Sequence, residues 1–457
     1  MKKTNDYGRD SIPLLVLKTS VPFMLAQLVN VLYSIVDRIY VGNIPVIGAD
    51  SLAGAGVCAP IITLLSSFGT LVGIGGSVLF SVRLGAGDEK SAQRIQANSF
   101  SMLLILSAVL TVVFLLTKNQ QLSWFGASEV TFPYANTYLT IYTLGTFFAL
   151  LSMGMNYFIT AQGFPGLGMM TTMIGAVVNI VLDPVFIFGF HMNIAGAAVA
   201  TVIAQMSSCI FVLCTLRRKK MRIPLTIVRP EPATAKRILT IGFSPFLILA
   251  TDSVIIIVMN AVLQYYGGKE YGDTLITAAT IVQSYMLLIT SPMLGITGGS
   301  QPLISYNYGA NQPARIRKTV FWVLMLCICF TTLMFLLSRI MPEIFVRIFT
   351  SDAEYRELAV WGSRVFTMMI IPLSLQYRFV DSLTALGMTG ISLTLSLFRK
   401  GLYLASTCAL PVFFAASSAF YAEPIADGTA AVLSTVVFFG IYRKYLRGDG
   451  RLMEIKV

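Results

Sequence analysis

The sequence predicts an all-α integral membrane protein of twelve transmembrane helices in two parallel six-helix repeats. Three observations predict it. The 457 residues are 56% hydrophobic and only 12% charged, against about 25% charged in soluble domains. Apolar runs of about 20 residues recur along the whole length, which is what a helix needs to cross a hydrocarbon core. Gly and Pro punctuation in the first half returns in the second after 223–224 residues.

The spans fall at approximately 13–41, 52–82, 96–117, 134–160, 167–189, 194–215, 238–265, 276–305, 319–338, 358–385, 391–414 and 421–442. The longest polar stretch between them, Leu216–Arg237, is too short to build a core of its own. Most of the 33 Lys and Arg lie in the N-terminus, the loops after even-numbered spans, and the C-terminus. The loops on the other side hold only Lys118, Lys269, Arg339, Arg347 and Arg356, while Arg38, Arg364 and Arg378 lie within spans. Both termini are therefore expected in the cytoplasm. The net charge of +12 becomes a topology signal, so the expected partner is the lipid bilayer and not nucleic acid. The cysteines Cys58, Cys209, Cys214, Cys327, Cys329 and Cys408 lie in apolar runs without metal-ligand spacing. They read as small buried apolar residues. The first apolar run is too long for a signal-peptide core and has no small-residue cleavage site after it, so it is expected to remain as the first helix.

A polar lead (Lys2, Lys3, Asp6, Arg9, Asp10) precedes Pro13, which opens the first span. Within that span Gln27, Asn30, Ser34 and Asp37 fall in an arc of about 80° on one helix face. An acid at membrane depth costs about 2.5–3.5 kcal/mol, so it usually faces an interior cavity and usually works. Gln27, Asn30, Tyr33 and Ser34 are the candidate cavity residues beside it. The second span ends in Gly73–Ser77 and Leu84–Gly87; without a preceding strand or a Lys it is not a phosphate loop, and its glycines suit close helix packing.

The repeat rests on several groups. Pro22 and Phe23 match Pro245 and Phe246, Gly75 matches Gly299, and Leu79 and Ser81 match Leu303 and Ser305. Gly85 and Ala86 match Gly309 and Ala310, while Thr160, Gly163 and Gly166 match Thr384, Gly387 and Gly390. The chain thus divides into an N-terminal lobe (1–215), a basic cytoplasmic linker (216–237) holding Arg217-Arg-Lys-Lys220, and a C-terminal lobe (238–457). Six spans per half make the repeats parallel, related by an axis along the membrane normal, as in many secondary transporters.

In the fifth span Asn179 and Asp183 are four apart and share a face. Counted from Val21 and from Leu167, Asp37 and Asp183 both come out roughly 24 Å from the cytoplasmic start. Thr201 in the sixth span sits roughly 10 Å down from the outer side, at a similar height, with Gln205 one turn further. Four oxygen-bearing groups can therefore meet at one level: Asp37, Asn179, Asp183 and Thr201. Oxygen ligands suit a hard cation such as Na⁺, and two close carboxyls could instead share a proton. The second half differs, because Asp37 corresponds to Asn260 and Asp183 to Thr407. It holds Asp252, Arg364, Arg378, Asp381, Arg399 and Lys400; Arg378 and Asp381, three apart, read as a structural ion pair. Asp252, Asn260 and Gln283 are its candidate cavity residues. His191, the only histidine, lies in a short outer loop and reads as solvated.

The stretches Pro22 to Gly42, Leu52-Ala53-Gly54, Leu84 to Asp88, Asn179 to Pro184 and Gly309 to Asn311 resemble the multidrug and toxic compound extrusion (MATE) transporters over essentially the full length. With one dominant acid pair in the N-terminal half, the chain resembles the DinF-type bacterial branch more than the NorM branch. The resemblance implies a V of two six-helix lobes with alternating access. It implies export of cationic amphipathic drugs or metabolites against entering H⁺ or Na⁺, with no tightly bound cofactor. A monomer in the bacterial cytoplasmic membrane is expected. The family's N-lobe cation site carries over to Asp37, Asn179, Asp183 and Thr201. The helix-7 and helix-10 acids of NorM-type members relate to Asp252 and to the neighbourhood of Asp381. A lipid-linked oligosaccharide flippase is the alternative; it would want a basic cavity, for which Arg364, Arg378 and Arg399 are available. An enzyme lacks a catalytic set here, and a channel would want like halves.

Overall fold

The computed structural model describes residues 5–218, 221–349 and 353–443. Lys2, Lys3, Lys219, Lys220 and the basic residues from 444 onward, part of the charge pattern above, lie outside them. No strand occurs among the described residues. The first half contains α1 (Ile12–Gly42), α2 (Gly48–Gly85), α3 (Glu89–Trp124), α4 (Phe132–Leu144), α5 (Thr146–Ala161), α6 (Pro165–Pro184) and α7 (Asn193–Leu216). The second half opens with α8 (Pro232–Gly268) and α9 (Thr274–Gly309), separated at Gly268, whose φ of 70° is left-handed. It continues with α10 (Pro313–Ile340), α11 (Pro342–Phe349), α12 (Ala353–Phe366), α13 (Ile370–Ala385), α14 (Thr389–Phe413) and α15 (Ala422–Ile441).

Ten helices among the described residues are long and apolar enough to cross a membrane, and α4 with α5, bent by 56°, pass the same test together, making eleven if the bent pair is one span. The expected span 391–414 is α14, which is 25 residues long. It carries the adjacent Arg399 and Lys400 and is not among the helices apolar enough to cross a membrane by length and composition. The bend between α4 and α5 falls at Gly145, where sequence reading placed one straight helix. Helix ends follow local chemistry. Proline stands in the first turn of α1, α4, α6, α8 and α10, where its missing N–H costs nothing. Asp88 caps α3 by accepting from the Ser91 N–H at 3.0 Å. The repeat mates Gly163 and Gly387, at φ 90° and 79°, each close α5 and α13 in the left-handed form that a side chain would strain.

Lipid tails are as apolar as leucine, so helix association in a membrane depends on close packing more than on burial. The junction between the halves shows this. A Cβ on Gly85 would collide with the Tyr306 carbonyl, and one on Gly309 with the Val82 carbonyl. Val82 and Tyr306 are themselves repeat mates, so this is one contact made twice about the pseudo-two-fold axis. Gly242 presses in the same way on Leu71, and Gly299 lies against Thr19, Ser20 and Phe23. All these contacts lie towards one end: the start of α1 and α8 and the finish of α2 and α9. Towards the other end α8 is largely exposed, at Val254, Ile256, Ile257 and Tyr265 among others. Each half also has its own core, around Leu65, Phe80, Leu103 and Phe158 in the first. The second is centred on Leu263, Val282, Phe366 and Phe420.

At the junction end, the lead before α1 lies across both halves. The Tyr7 hydroxyl donates to the Thr160 carbonyl at 2.6 Å. The Tyr7 carbonyl accepts from Asn307 at 3.1 Å and from Arg315 at 2.8 Å.

Two expectations need correction. Cys214, Cys329 and Cys408 are exposed on helix surfaces, and only Cys58, Cys209 and Cys327 are buried. Small apolar side chains meet lipid as readily as core, which is why the apolar run misled. Arg378 and Asp381 form no ion pair: fully buried Arg378 turns towards α9 and donates to Ser300 Oγ at 3.0 Å.

Candidate functional site

The N-terminal half brings Asp37, Asn179, Asp183 and Thr201 together. Asn179 and Asp183 share one face of α6, and the Asn179 amide donates to Asp183 Oδ1 at 3.1 Å. The same amide nitrogen lies 3.3 Å from Thr201 Oγ1 of α7. Asp37 of α1 lies near enough to Asp183 for the two carboxyls to interact. Pro184 follows Asp183 directly and lacks an N–H, and the chain passes into a π-helical turn, Val185–Gly189. Such turns often mark functional sites in helices. This one ends α6 where its carboxyl is fixed.

Asn179 and Asp183 are fully buried. Asp37 Oδ1, Asn179 Oδ1 and Asp183 Oδ2 are buried acceptors without a donor. Three oxygens without donors around two carboxyls are an arrangement that a cation completes. The donors are all oxygen, with neither thiolate nor imidazole, which fits a proton or a hard monovalent cation over a transition metal. Among the described residues no group of three or more His, Cys, Asp or Glu could hold a metal ion.

Beside this cluster lies a cavity of about 360 Å³ bounded by α1, α2, α4, α5, α6 and α7. Gln27, Asn30, Tyr33, Asn179, Thr201 and Gln205 line it, together with Phe23, Ser66, Tyr142, Met153, Asn156 and Tyr157. It is walled by amides, hydroxyls and aromatic rings, the surface a flat amphipathic molecule needs. Gly168, Gly175 and Ala176 of α6 also line it, the glycines where a Cβ would press on Thr160 Oγ1 and Ser208 Oγ. Ser34 does not line it; its hydroxyl back-bonds to the Asn30 carbonyl at 3.0 Å. Sequence reading overlooked the α4 tyrosines. Tyr142 lines the cavity with Ser66 and Gln205, and Tyr138 stands one turn before it on α4. Their spacing of four within an apolar run was the available signal. His191 is exposed, at a left-handed φ of 54° in the turn before α7.

The C-terminal half arranges its charges differently. Asn260 and Gln283 lie on α8 and α9, apart from the cavity. Asp252 accepts from Lys400 Nζ at 2.7 Å, and Arg399 binds Asp427 and Glu423 of α15, each at 2.7 Å. Glu423 and Asp427 were also overlooked. They stand near the start of an apolar run, where an acid reads as a helix-end residue.

Comparison with known proteins places this architecture. The MatE family model matches residues 22–185 and 249–414, one stretch in each half. The chain is 27% identical to the multidrug export protein MepA of Staphylococcus haemolyticus, over 96% of this chain and 95% of that protein. It is 26% identical to MepA of Staphylococcus saprophyticus, over 88% and 86%. Among solved structures, a multidrug resistance MATE family transporter in an outward-facing conformation superposes with a TM-score of 0.90 at 19% identity, covering 97% of this chain and 99% of that one. A MOP superfamily transporter from Pyrococcus furiosus superposes equally well, with a TM-score of 0.90 at 20% identity over 97% and 99%. Two repeated family matches, full-length export relatives and a shared two-lobed fold lead to one conclusion: the chain belongs to the MatE family of multidrug and toxic compound extrusion transporters.

Proposed function

We propose that this protein is a secondary active exporter that moves cationic amphipathic drugs or metabolites outward by alternating access. A coupling cation would enter at Asp37, Asn179, Asp183 and Thr201. The carrying observation is the juxtaposition of donorless carboxyl oxygens with a polar, aromatic cavity in the same half. The halves press together at the end that the charge pattern assigns to the cytoplasm, which fits a cavity open to the outside. A cation arriving from outside neutralises the Asp37–Asp183 pair, and its charge then no longer holds a bound organic cation. Binding and coupling favour different states, as exchange requires. Two carboxyls this near attract only with a proton between them, which favours H⁺ as the coupling ion. Na⁺ is the second reading, favoured by the oxygens left without donors.

In this reading 1–215 and 238–457 are the moving lobes and 216–237 their cytoplasmic linker. The protein works as a monomer of the DinF-type branch in a bacterial cytoplasmic membrane, with both termini inside. The flippase alternative is weakened because Arg399 is already neutralised by Glu423 and Asp427. The test is efflux of ethidium from proteoliposomes under separately imposed H⁺ and Na⁺ gradients, for the wild type and Asp37→Asn. Gradient-driven efflux lost in Asp37→Asn is the expected result. Equal efflux by the variant, or no response to either gradient, refutes the reading.

A further inference from the structure

The repeat identifies what fills the C-terminal counterpart of the N-terminal cavity. The offset of 224 that aligns Gly163 with Gly387 also sets Gly175 against Arg399 and Ala176 against Lys400. In the first half these small residues line the cavity. In the second, two long cationic side chains stand there. Arg399 points to α15, where Glu423 and Asp427 hold it. Lys400 points to α8, where its ammonium binds Asp252 Oδ1 at 2.7 Å, Thr251 Oγ1 at 2.8 Å and the Ile248 carbonyl. Asp252 stands opposite Val29 in the repeat, on the same stretch of helix as the cavity-lining Gln27 and Asn30, although Val29 itself does not line the cavity.

The two ends of the Lys400 pair are not alike. The Lys400 side chain is 7% exposed and that of Asp252 is 50% exposed. A mobile cation can therefore reach Asp252 without first removing Lys400. A displaced ammonium also has somewhere to go. The neighbouring Glu423 and Asp427 formally carry one more negative charge than Arg399 neutralises, and fully buried Asp427 Oδ2 has no partner.

We propose that Asp252 is a second binding point for organic ammonium ions and that Lys400 is its tethered occupant. Lys400 fills the site when no substrate is bound and competes with every substrate that reaches it. Only molecules whose cationic group outbids a lysine ammonium then use the C-terminal half, which makes Lys400 a determinant of specificity. The inference rests on the export of organic cations proposed above.

The experiment measures equilibrium binding of ethidium to the purified full-length protein in nanodiscs by fluorescence. Lys400→Met keeps the length of the side chain and removes its charge. It should tighten binding by about tenfold, the effect of one partly buried charge pair. Asp252→Asn in the same chain should abolish the gain, and Lys400→Arg should restore wild-type affinity. Thr251→Val, which leaves the charges intact and loosens Lys400, should move affinity in the same direction as Lys400→Met and serves if that variant fails to fold. Unchanged or weaker binding in the folded Lys400→Met or Thr251→Val protein overturns the inference, and so does a gain that survives Asp252→Asn. The reading on which it rests fails separately: wild-type protein that neither binds nor exports ethidium removes both.

Discussion

The paired glycines at the junction allow a quantitative test of the two-lobed mechanism. An alanine at position 85 would place its methyl 2.8 Å from the Tyr306 carbonyl carbon and 3.1 Å from the Ala310 nitrogen, and closer still to the Tyr306 oxygen. All three are backbone atoms, which cannot rotate away. To restore ordinary contact, α2 and α9 must part by roughly 1.5 Å. Overpacking of this kind costs roughly 1–3 kcal/mol, and it is charged only to the state in which this end is closed. The balance between states should shift by roughly 5- to 150-fold towards the one in which the helices separate. Gly309→Ala makes the mirror contact, with the Val82 carbonyl carbon at 2.7 Å, and should shift the balance equally. The double variant should add little, because the separation forced by one methyl relieves the other. Spin labels at Ile39 and Tyr265, both exposed at the far end of α1 and α8, report the change in a cysteine-free background. Their distance should shorten in either variant. Gly166→Ala, where nothing lies within 4 Å, is the control. Unaltered distance distributions in folded Gly85→Ala and Gly309→Ala, or an equal change in Gly166→Ala, would refute the reasoning.

Other consequences are simpler to read. Asn179→Ala removes the amide that serves both Asp183 and Thr201, and leaving buried acceptors unmade costs about 1–3 kcal/mol; gradient-driven efflux should fall more than ethidium binding does. Arg399→Gln leaves Glu423 and Asp427 buried without their cation, which costs about 3–5 kcal/mol. Its melting temperature in detergent should drop well below that of the wild type, and adding Asp427→Asn should recover part of the loss. Arg315→Ala deletes bonds to the Tyr7 carbonyl, the Asp10 carbonyl and Asn307 Oδ1. The lead before α1 should then be clipped faster by protease added to the purified protein, while unchanged clipping would mean that Arg315 does not hold it.

What the sequence disclosed follows from which interactions are local. The helix face shared by Asn179 and Asp183 is a matter of spacing four, and depth counting along α1, α6 and α7 was enough to bring Asp37 and Thr201 to the same level. Two of the repeated glycine pairs, Gly75 with Gly299 and Gly85 with Gly309, proved to lie at the junction, whereas Gly166 and Gly390 meet nothing within 4 Å and Gly163 and Gly387 close helices instead. The partner of Asp252 was out of reach, being Lys400, 148 residues away on a helix whose rotation no local pattern sets. Arg378 shows the opposite failure. A plausible neighbour three residues on was overruled by Ser300 on another helix, 78 residues off. The 56° bend at Gly145 was hidden because a bent and a straight apolar segment have the same composition.

The lead held across both halves also has a meaning in time. Tyr7 is made well before Asn307 and Arg315, which grip its carbonyl and lie 300 and 308 residues later. At about 5–20 residues per second the segment waits roughly 15–60 s at the ribosome before its partners exist. Until then Tyr7 can reach only Thr160 of its own half. The finished clasp therefore certifies that both halves have been synthesised and brought side by side, and a chain truncated before the second half would carry an unclasped N-terminus that proteolytic quality control can recognise.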